Sequence, residues 1–365
     1  MTTSVRPNPL TEPARRIAAI TADYHADLGT VMTEERILRW AEYFSAEYRL
    51  PVLNETAHIL GKTYISKQRM ADFLAAIARN EKLTKGNPKE FWAATELLQI
   101  QQRGASQREM VALLKNELGK IGLASRPHTQ PGTQSFVYLD DTIFTGGHLL
   151  HDLTPWIKES APEIATVYVI TAFVHTGATN RAENSKSKEN LLAVAKGIGK
   201  KISLAFWTIA QLEDRIWYTS NSDVLRPKAP PTSDVVQAYI ASLQAELEAA
   251  KLKYKKDFKL KWRDGDSTGQ YGVFSSGPAR AMIEEQLMIA GCEARLRCPY
   301  FNQSFRPLGY QFLTSVGFGG TVVTYRNCPN NCPLAWWAGD PWHPLFPRRT
   351  NTQTTTETIF GDLGL

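Results

Sequence analysis

Long apolar runs are missing from this 365-residue chain. No stretch of eighteen consecutive apolar residues occurs, so no membrane-spanning helix is expected. The opening MTTSVRPNPLTEPARR lacks the apolar core of a secretory leader, which makes the cytoplasm the expected location. Cysteine is scarce, with four residues at 292, 298, 328 and 332. In a reducing compartment these read as free thiols rather than a disulfide framework. Three residues separate Cys328 from Cys332, a spacing that suits zinc. Five separate Cys292 from Cys298, however, and no histidine lies nearby at ligand spacing. Internal repeats are absent as well. What remains is an ordinary folded composition, 43% hydrophobic and 21% charged, with a formal net charge of +6 and a pI of about 9.0. That balance suits an anionic partner, either a phosphate-rich ligand or nucleic acid.

Residues 1–88 read as a helical region. Thr33 can cap a helix with Glu34 and Glu35 in its first turn, and Ile37, Trp40, Ala41, Phe44 and Tyr48 then share a face. A second helix is expected after Ser66, with Met70, Phe73, Leu74 and Ile77 as its stripe. From 89 to 215 strands alternate with helices. The strands are ELLQIQQ (96–102), KIGLA (120–124), FVYLDD (136–141), ATVYVITAFV (165–174) and ISLAFWTI (202–209). Such alternation predicts an α/β fold with a parallel sheet flanked by helices, and a binding edge at the carboxyl ends of its strands. A segment from 216 to 272 should hold an exposed linker, SNSDVLRPKAPPTSD, and one long helix to residue 262, inserted into or laid across that core. Residues 273–347 are expected to complete the core. They carry a helix capped by Ser275 or Ser276 and a late strand, GGTVVTYRN (319–327). The tail 348–365 is threonine-rich, with Ile359, Phe360 and Leu363 as its docking candidates.

The stretch FVYLDDTIFTGGHLL (136–150) concentrates the chemistry. Asp140 and Asp141 end an apolar strand, and a buried unpaired carboxylate is too costly to keep ionised, so at least one should face a cleft. Two adjacent carboxylates can accept hydrogen bonds from the vicinal diol of a ribose. Thr145, Gly146 and Gly147 then turn into a helix whose free N–H groups favour a phosphate. The plainer alternative is a strand–turn–helix whose aspartates cap the helix.

An apolar strand, two acidic residues and a Thr-Gly loop resemble the signature of type I phosphoribosyltransferases. The resemblance implies phosphoribosyl pyrophosphate as ligand, with Mg2+ accompanying its pyrophosphate and no side chain binding the metal directly. It assigns Asp140 and Asp141 to the ribose hydroxyls, and Thr145, Gly146 and Gly147 to the 5-phosphate. His148 departs from the pattern, where threonine or serine is usual, and so does Phe144, where a small polar residue is usual. The family's pyrophosphate loop follows its first core strand. LLQIQQRGASQREMVALL has that form, placing Arg103, Gly104, Ser106 and Gln107 at a helix start. The same residues also read as an ordinary helix, with Ser106 and Glu109 forming a capping box. The flexible catalytic loop would fall in SRPHTQPGTQS (125–135), with Arg126 and His128 as candidates; both also read as residues of a solvated loop.

A narrower resemblance rests on RILRWAEYF, QIQQRGASQREM, FSSGPARAMIEEQLMIAG and TVVTYRNCPNNCPLAWW. These look like the PRTase-CE group, phosphoribosyltransferase-like effectors of prokaryotic conflict systems. The resemblance implies a role in anti-phage defence and, as in members encoded with retrons, partners such as a winged-helix protein and a reverse transcriptase with its RNA or DNA; no membrane is implied. Arg326, Asn327, Asn330 and Asn331 would face the acceptor substrate, or else form a polar turn held by Asx bonds. Three activities fit: pentosyl transfer to a nucleotide or other N-glycosidic substrate, a non-catalytic nucleotide sensor, and a structural subunit of a nucleic-acid complex. The basic run KLKYKKDFKLKWR (251–263) bears on the last. Lys255, Lys256 and Lys259 can contact phosphates, with Tyr254, Phe258 and Trp262 stacking on bases, or the aromatic stripe can pack inward beneath solvated lysines.

Overall fold

Thr33, Ser66, Asn80, Asn87 and Ser276 each open a helix, and each side chain accepts a hydrogen bond from the backbone N–H three residues on. These caps set element boundaries in a computed structural model that describes residues 8–101, 106–127, 132–179, 187–311 and 315–348. The chain divides into two units, one drawn from Met1–Tyr64 and Trp217–Leu365, the other from Ile65–Ile216.

The first unit begins with α1 (Thr11–Ile20), α2 (Glu34–Ala41) and α3 (Ala46–Thr63). The expected stripe buries Ile37, Trp40, Ala41 and Phe44. It spans two helices rather than one, because α2 stops at Ala41 and Tyr48 belongs to α3.

The second unit contains α4 (Lys67–Ala78), α5 (Pro88–Ala94), β1 (Thr95–Leu97), α6 (Ser106–Lys120) and β2 (Ser135–Ile143). It continues through α7 (Gly147–Glu159), β3 (Ile164–His175), α8 (Ser187–Gly197) and β4 (Lys201–Leu212). The strands lie in the order β1-β2-β3-β4 and every pair is parallel, as the alternation of strands and helices requires. β3 is buried without a break from Val169 to His175, the pattern of a central parallel strand covered on both faces. On one face Phe136, Tyr138, Val167 and Val169 pack with Leu153 and Trp156 of α7 and Leu191 of α8. On the other, Phe91 of α5 meets the Tyr168 ring edge-on at 5.2 Å, and Arg69 of α4 lies 5.7 Å above Phe173.

At the amino end of the sheet one row carries four hydroxyls: Thr95, Ser135, Thr166 and Ser203 are register partners. Thr95 Oγ1 bonds Ser135 Oγ at 2.8 Å, and Ser203 donates to Thr166 at 3.0 Å. Two expected strands change here. ELLQIQQ contributes only Glu96 and Leu97, to a strand that starts at Thr95, and KIGLA forms no strand. Gly122 takes φ +71, Leu123 N–H bonds Leu118 C=O at 2.9 Å, and Gly122 N–H bonds Gly119 C=O at 3.0 Å. This paired closure ends α6 and uses the backbone groups a strand would need.

The first unit resumes with residues 217–233, then α9 (Asp234–Tyr254) and α10 (Gly277–Arg297). The 220–234 segment is not an exposed linker, since Ser222, Asp223, Val224 and Leu225 are buried. Asp223 Oδ1 accepts from Tyr271 N–H at 2.8 Å, so its polarity is satisfied inside the unit. The long helix stops at Tyr254, not at Trp262, with Lys255 left-handed at φ +51. Lysines at 251 and 255 repel at i,i+4 spacing, while cations near a helix C-terminus favour ending it there. The late strand is likewise short, Val323–Thr324. Before it, Gly319 sits at φ +76 with Leu225 O only 2.1 Å from where a Cβ would be, which only glycine tolerates. All four cysteines are free and buried. The tail from 349, with Ile359, Phe360 and Leu363, lies outside the described residues. Among the described residues no helix is long and apolar enough to cross a membrane.

Beneath α10 lies a buried ionic network. Glu284 accepts from Arg263 at 2.8 Å, Arg280 at 2.8 Å and the Arg226 N–H at 3.0 Å. Arg280 also donates to Ser267 O and Ser222 Oγ, both at 2.8 Å, and stacks 4.3 Å over Phe274. One carboxylate thus holds two buried guanidinium groups, and both donate further hydrogen bonds to backbone carbonyls of the same unit. Glu284→Gln should lower unfolding stability by roughly 3–5 kcal/mol, because it leaves buried charge uncompensated. A urea titration showing a loss below about 1 kcal/mol would assign the network no electrostatic role.

Candidate functional site

β2 does not end at the aspartates: it runs two residues further, to Ile143. Pairing nevertheless changes there. Asp140 pairs with Thr171 and Thr142 with Phe173, while Asp141 and Ala172 are skipped; β4 pairs Thr171 with Thr208 and Phe173 with Ala210, skipping Ile209. Side-chain alternation changes phase across the same row. The cluster against α7 takes Phe136 and Tyr138 before the aspartates but Ile143 after them, and in β3 it takes Val167 and Val169 but then Val174. Hydroxyls and carboxylates occupy the backbone groups that the skipped pairs release. Asp141 N–H donates to Asp140 Oδ1 at 2.9 Å, Thr142 N–H to Asp141 Oδ1 at 2.8 Å, and Thr208 Oγ1 to Ala172 O at 2.8 Å. Such irregularities re-aim side chains next to functional sites. Asp140 and Asp141 are partly buried. Burial and the adjacent Asp141 charge hold the Asp140 carboxyl well above the usual carboxylate range.

Phe144, Thr145 and Gly146 connect β2 to α7. Phe144 is buried and stacks on His175 at 4.7 Å with 21° between the rings. His175, at the end of β3, donates from Nδ1 to Ile143 O at 3.1 Å; burial pushes its pKa down to about 4, so the ring is neutral. The apolar residue at position 144 therefore serves as the underside of the turn. Gly146 occupies the cap position at φ +77, a conformation that favours glycine, and Thr145, Gly147 and His148 are exposed above it. The first-turn N–H groups of α7 have no partner earlier in their own helix, which suits an anion. α7 is pinned to β2 by Tyr138, whose hydroxyl donates to the buried Asp152 at 2.9 Å; Asp152 also lies 3.3 Å from His151 Nδ1.

A model of the PRTase-CE family matches residues 37–348, a span that draws on both units. The chain belongs to the PRTase-CE family. No curated protein matches it significantly.

The other candidate residues of this PRTase-CE chain fall in several places. Arg103, Gly104 and His128 lie outside the described residues, as does the Ser106 side chain, although Ser106 itself begins α6. Gln107 is buried and engaged by the protein. Its Oε1 accepts from Ile100 N–H at 2.7 Å and Gln101 N–H at 3.0 Å, while its own N–H donates to Gln101 Oε1 at 3.0 Å. It shapes the exit from β1. Arg126 N–H bonds Thr95 O at 2.9 Å, so its backbone is fixed to β1. Arg326, Asn327, Asn330 and Asn331 belong to the other unit. There Asn331 donates to Tyr310 O at 3.2 Å, Tyr310 N–H bonds Asn330 O at 2.7 Å, and Asn327 N–H bonds Thr324 O at 3.1 Å.

Sequence reasoning missed Phe144 as a packing residue, and it missed His175, Tyr138 and Asp152 altogether. His175 carried one readable signal, as the polar residue closing a run of β-branched and aromatic residues. A second acidic pair was also missed: beyond β3 and β4, the Thr176 hydroxyl lies 3.0 Å from Glu213 Oε1 and 2.8 Å from Asp214 Oδ1. Arg215 pairs with Glu213.

Neutral His175 makes stability depend on pH. As pH falls below about 6.5 the unfolded chain takes up the proton first, whereas the folded ring resists until about pH 4, so stability declines across that window. Wild type should lose about 3 kcal/mol more than His175→Gln between pH 7.5 and 4 in chemical denaturation. Parallel pH profiles for the two proteins would contradict the assignment.

Proposed function

We propose that the Asp140–Asp141 row and the 145–148 turn bind a ribose 5-phosphate ligand such as phosphoribosyl pyrophosphate. The observation that carries this reading is the phase change at the aspartates directly before a left-handed glycine that opens α7. Partly buried carboxyls accept the 2- and 3-hydroxyls, and the α7 amides with Thr145 and Gly147 receive the phosphate. The His148 imidazole stands in for the usual hydroxyl donor. Among the described residues no group of three or more metal-ligating side chains converges. Two adjacent carboxyls alone fit a cation that arrives on the ligand, and Mg2+ there would neutralise the pyrophosphate oxygens.

In the transfer we infer, the bond from C1 to the pyrophosphate oxygen breaks and its electron pair leaves with pyrophosphate. A nitrogen of the acceptor, or water, forms the new bond and releases its proton. Asp140 and Asp141 hold the ring and offset the positive charge that develops on it, so positioning and electrostatics supply the acceleration. Membership in the PRTase-CE family supports a phosphoribosyltransferase-like effector. We place it in anti-phage defence, in a retron-associated system whose winged-helix protein and reverse transcriptase restrain it, and in which its substrate is a nucleotide or another N-glycoside. A sensor that binds the ligand without turnover is the second reading, favoured by His148 at the position of the usual hydroxyl.

Calorimetry with phosphoribosyl pyrophosphate and Mg2+ should show binding to wild type, weakened at least tenfold in Asp140→Asn/Asp141→Asn. No binding by wild type overturns both readings. Binding without pyrophosphate release in the presence of nucleotides or NAD selects the sensor. Gly146→Ala should weaken binding as well and cost about 1 kcal/mol of stability, since alanine tolerates φ +77 poorly; unchanged affinity would remove the phosphate role of this turn.

A further inference from the structure

Thirteen residues, Lys251 to Arg263, contain seven basic side chains and one acidic one. Their formal charge of +6 equals that of the whole chain, so the charges of all other residues cancel. The structure divides this run. Arg263 is buried against Glu284 and belongs to the core, whereas all six lysines are exposed. Lys251 pairs with Asp257 at 2.7 Å, so the acid is matched locally. Lys253, Lys255, Lys256, Lys259 and Lys261 then cover the end of α9 and the segment after it. Among them Leu252 is 82% exposed and Tyr254 57% exposed, with the Lys253 ammonium 5.1 Å from the Tyr254 ring.

After α9 ends, exposure alternates: Phe258, Leu260 and Trp262 are half-buried, while Lys259 and Lys261 point to solvent. That is the period of an extended chain laid along a surface. Between this segment and α9 runs a groove of about 250 Å³, lined by Leu247, Phe258, Leu260 and Trp262 with Gln244 and Lys259 among its polar members. Glu248 also lines it and is attracted to Lys251. The groove therefore has an apolar, aromatic lining, an amide able to both donate and accept, one carboxylate and one lysine, Lys259, with the other lysines of the run exposed nearby in sequence.

We propose that this groove and its lysines form a binding surface for single-stranded nucleic acid, with unpaired bases in the groove and phosphates along Lys255, Lys256, Lys259 and Lys261. Charge complementarity selects an anionic polymer, and the aromatic lining selects one whose bases are free to stack. A duplex would satisfy the lysines but leave the groove empty. An anionic bilayer would engage the lysines and Leu252, but would gain nothing from Gln244 or Trp262.

Fluorescence anisotropy of full-length protein tests this with labelled oligothymidylate or oligouridylate of about 20 nucleotides, a duplex of matched length and phosphatidylserine vesicles. Wild type should prefer the single strands to the duplex at least tenfold. Lys255→Glu/Lys256→Glu/Lys259→Glu should bind at least tenfold more weakly and lower the logarithmic salt slope by about 2, with thermal unfolding unchanged. Trp262→Ala and Gln244→Ala should weaken single-strand binding with little effect on the duplex. Equal affinity for both nucleic acids, no loss in the lysine variant, or tighter binding to vesicles than to oligonucleotides each overturns the proposal. Its failure leaves the ribose phosphate site untouched, because Lys255, Lys256 and Lys259 lie in the other unit.

Discussion

The desolvation and mutual repulsion of Asp140 and Asp141, held side by side in β2, form the constraint on which the rest of the sheet edge depends. Two adjacent strand residues normally point to opposite faces, and in a parallel sheet covered by helices both would be buried. Along this row one pair is dropped from each ladder, at Asp141, Ala172 and Ile209. The released backbone groups are taken by the carboxylates themselves and by Thr208. A partly buried acidic pair is thereby kept within a strand whose flanks remain packed.

An interrupted strand needs support beyond the break, and aromatic and imidazole groups supply it. The neutral His175 ring bonds the last carbonyl of β2 and carries Phe144 on its face, which holds the turn in place from below. Tyr138 reaches from the other side of the aspartates to Asp152 in α7. Strand, turn and helix are thus fixed at three points around Gly146, whose left-handed backbone starts α7. The first unit handles buried charge in the opposite way. There Glu284 sits between Arg263 and Arg280, each charge facing its opposite, and the result is a rigid core rather than a cleft.

Much of the fold was legible because its signals are local. Thr33, Ser66 and the Ser275–Ser276 pair announced their helices, and the β-branched run of β3 announced a strand. Some errors arose where a nearby closure ended an element early, others where a distant partner outweighed a local preference. KIGLA has strand composition, but Gly122 closes α6 first. The 220–234 segment is polar enough for a linker, yet Asp223 finds Tyr271 and Ser222 finds Arg280, so it is buried. Lys251–Arg263 keeps helical spacing, but charge crowding ends α9 at Tyr254 and Glu284 draws Arg263 into the core. At the candidate site, the acidic pair and the glycine turn could be read directly. Gln107 could not, because its position at a helix start does not reveal that its amide is already bonded to the exit from β1.

By itself the sequence determined an α/β chain with a parallel sheet, a paired acidic motif ahead of a glycine-started helix, and a concentration of positive charge after residue 250. These follow from near neighbours: side-chain alternation, capping and like charges in succession. Only the tertiary structure decided how the aspartates are accommodated, that Phe144 rests on a neutral His175, and which basic residues stay at the surface. Each of those outcomes depends on groups far apart in the chain whose desolvation must be balanced in one place. No window of sequence contains both sides of that balance.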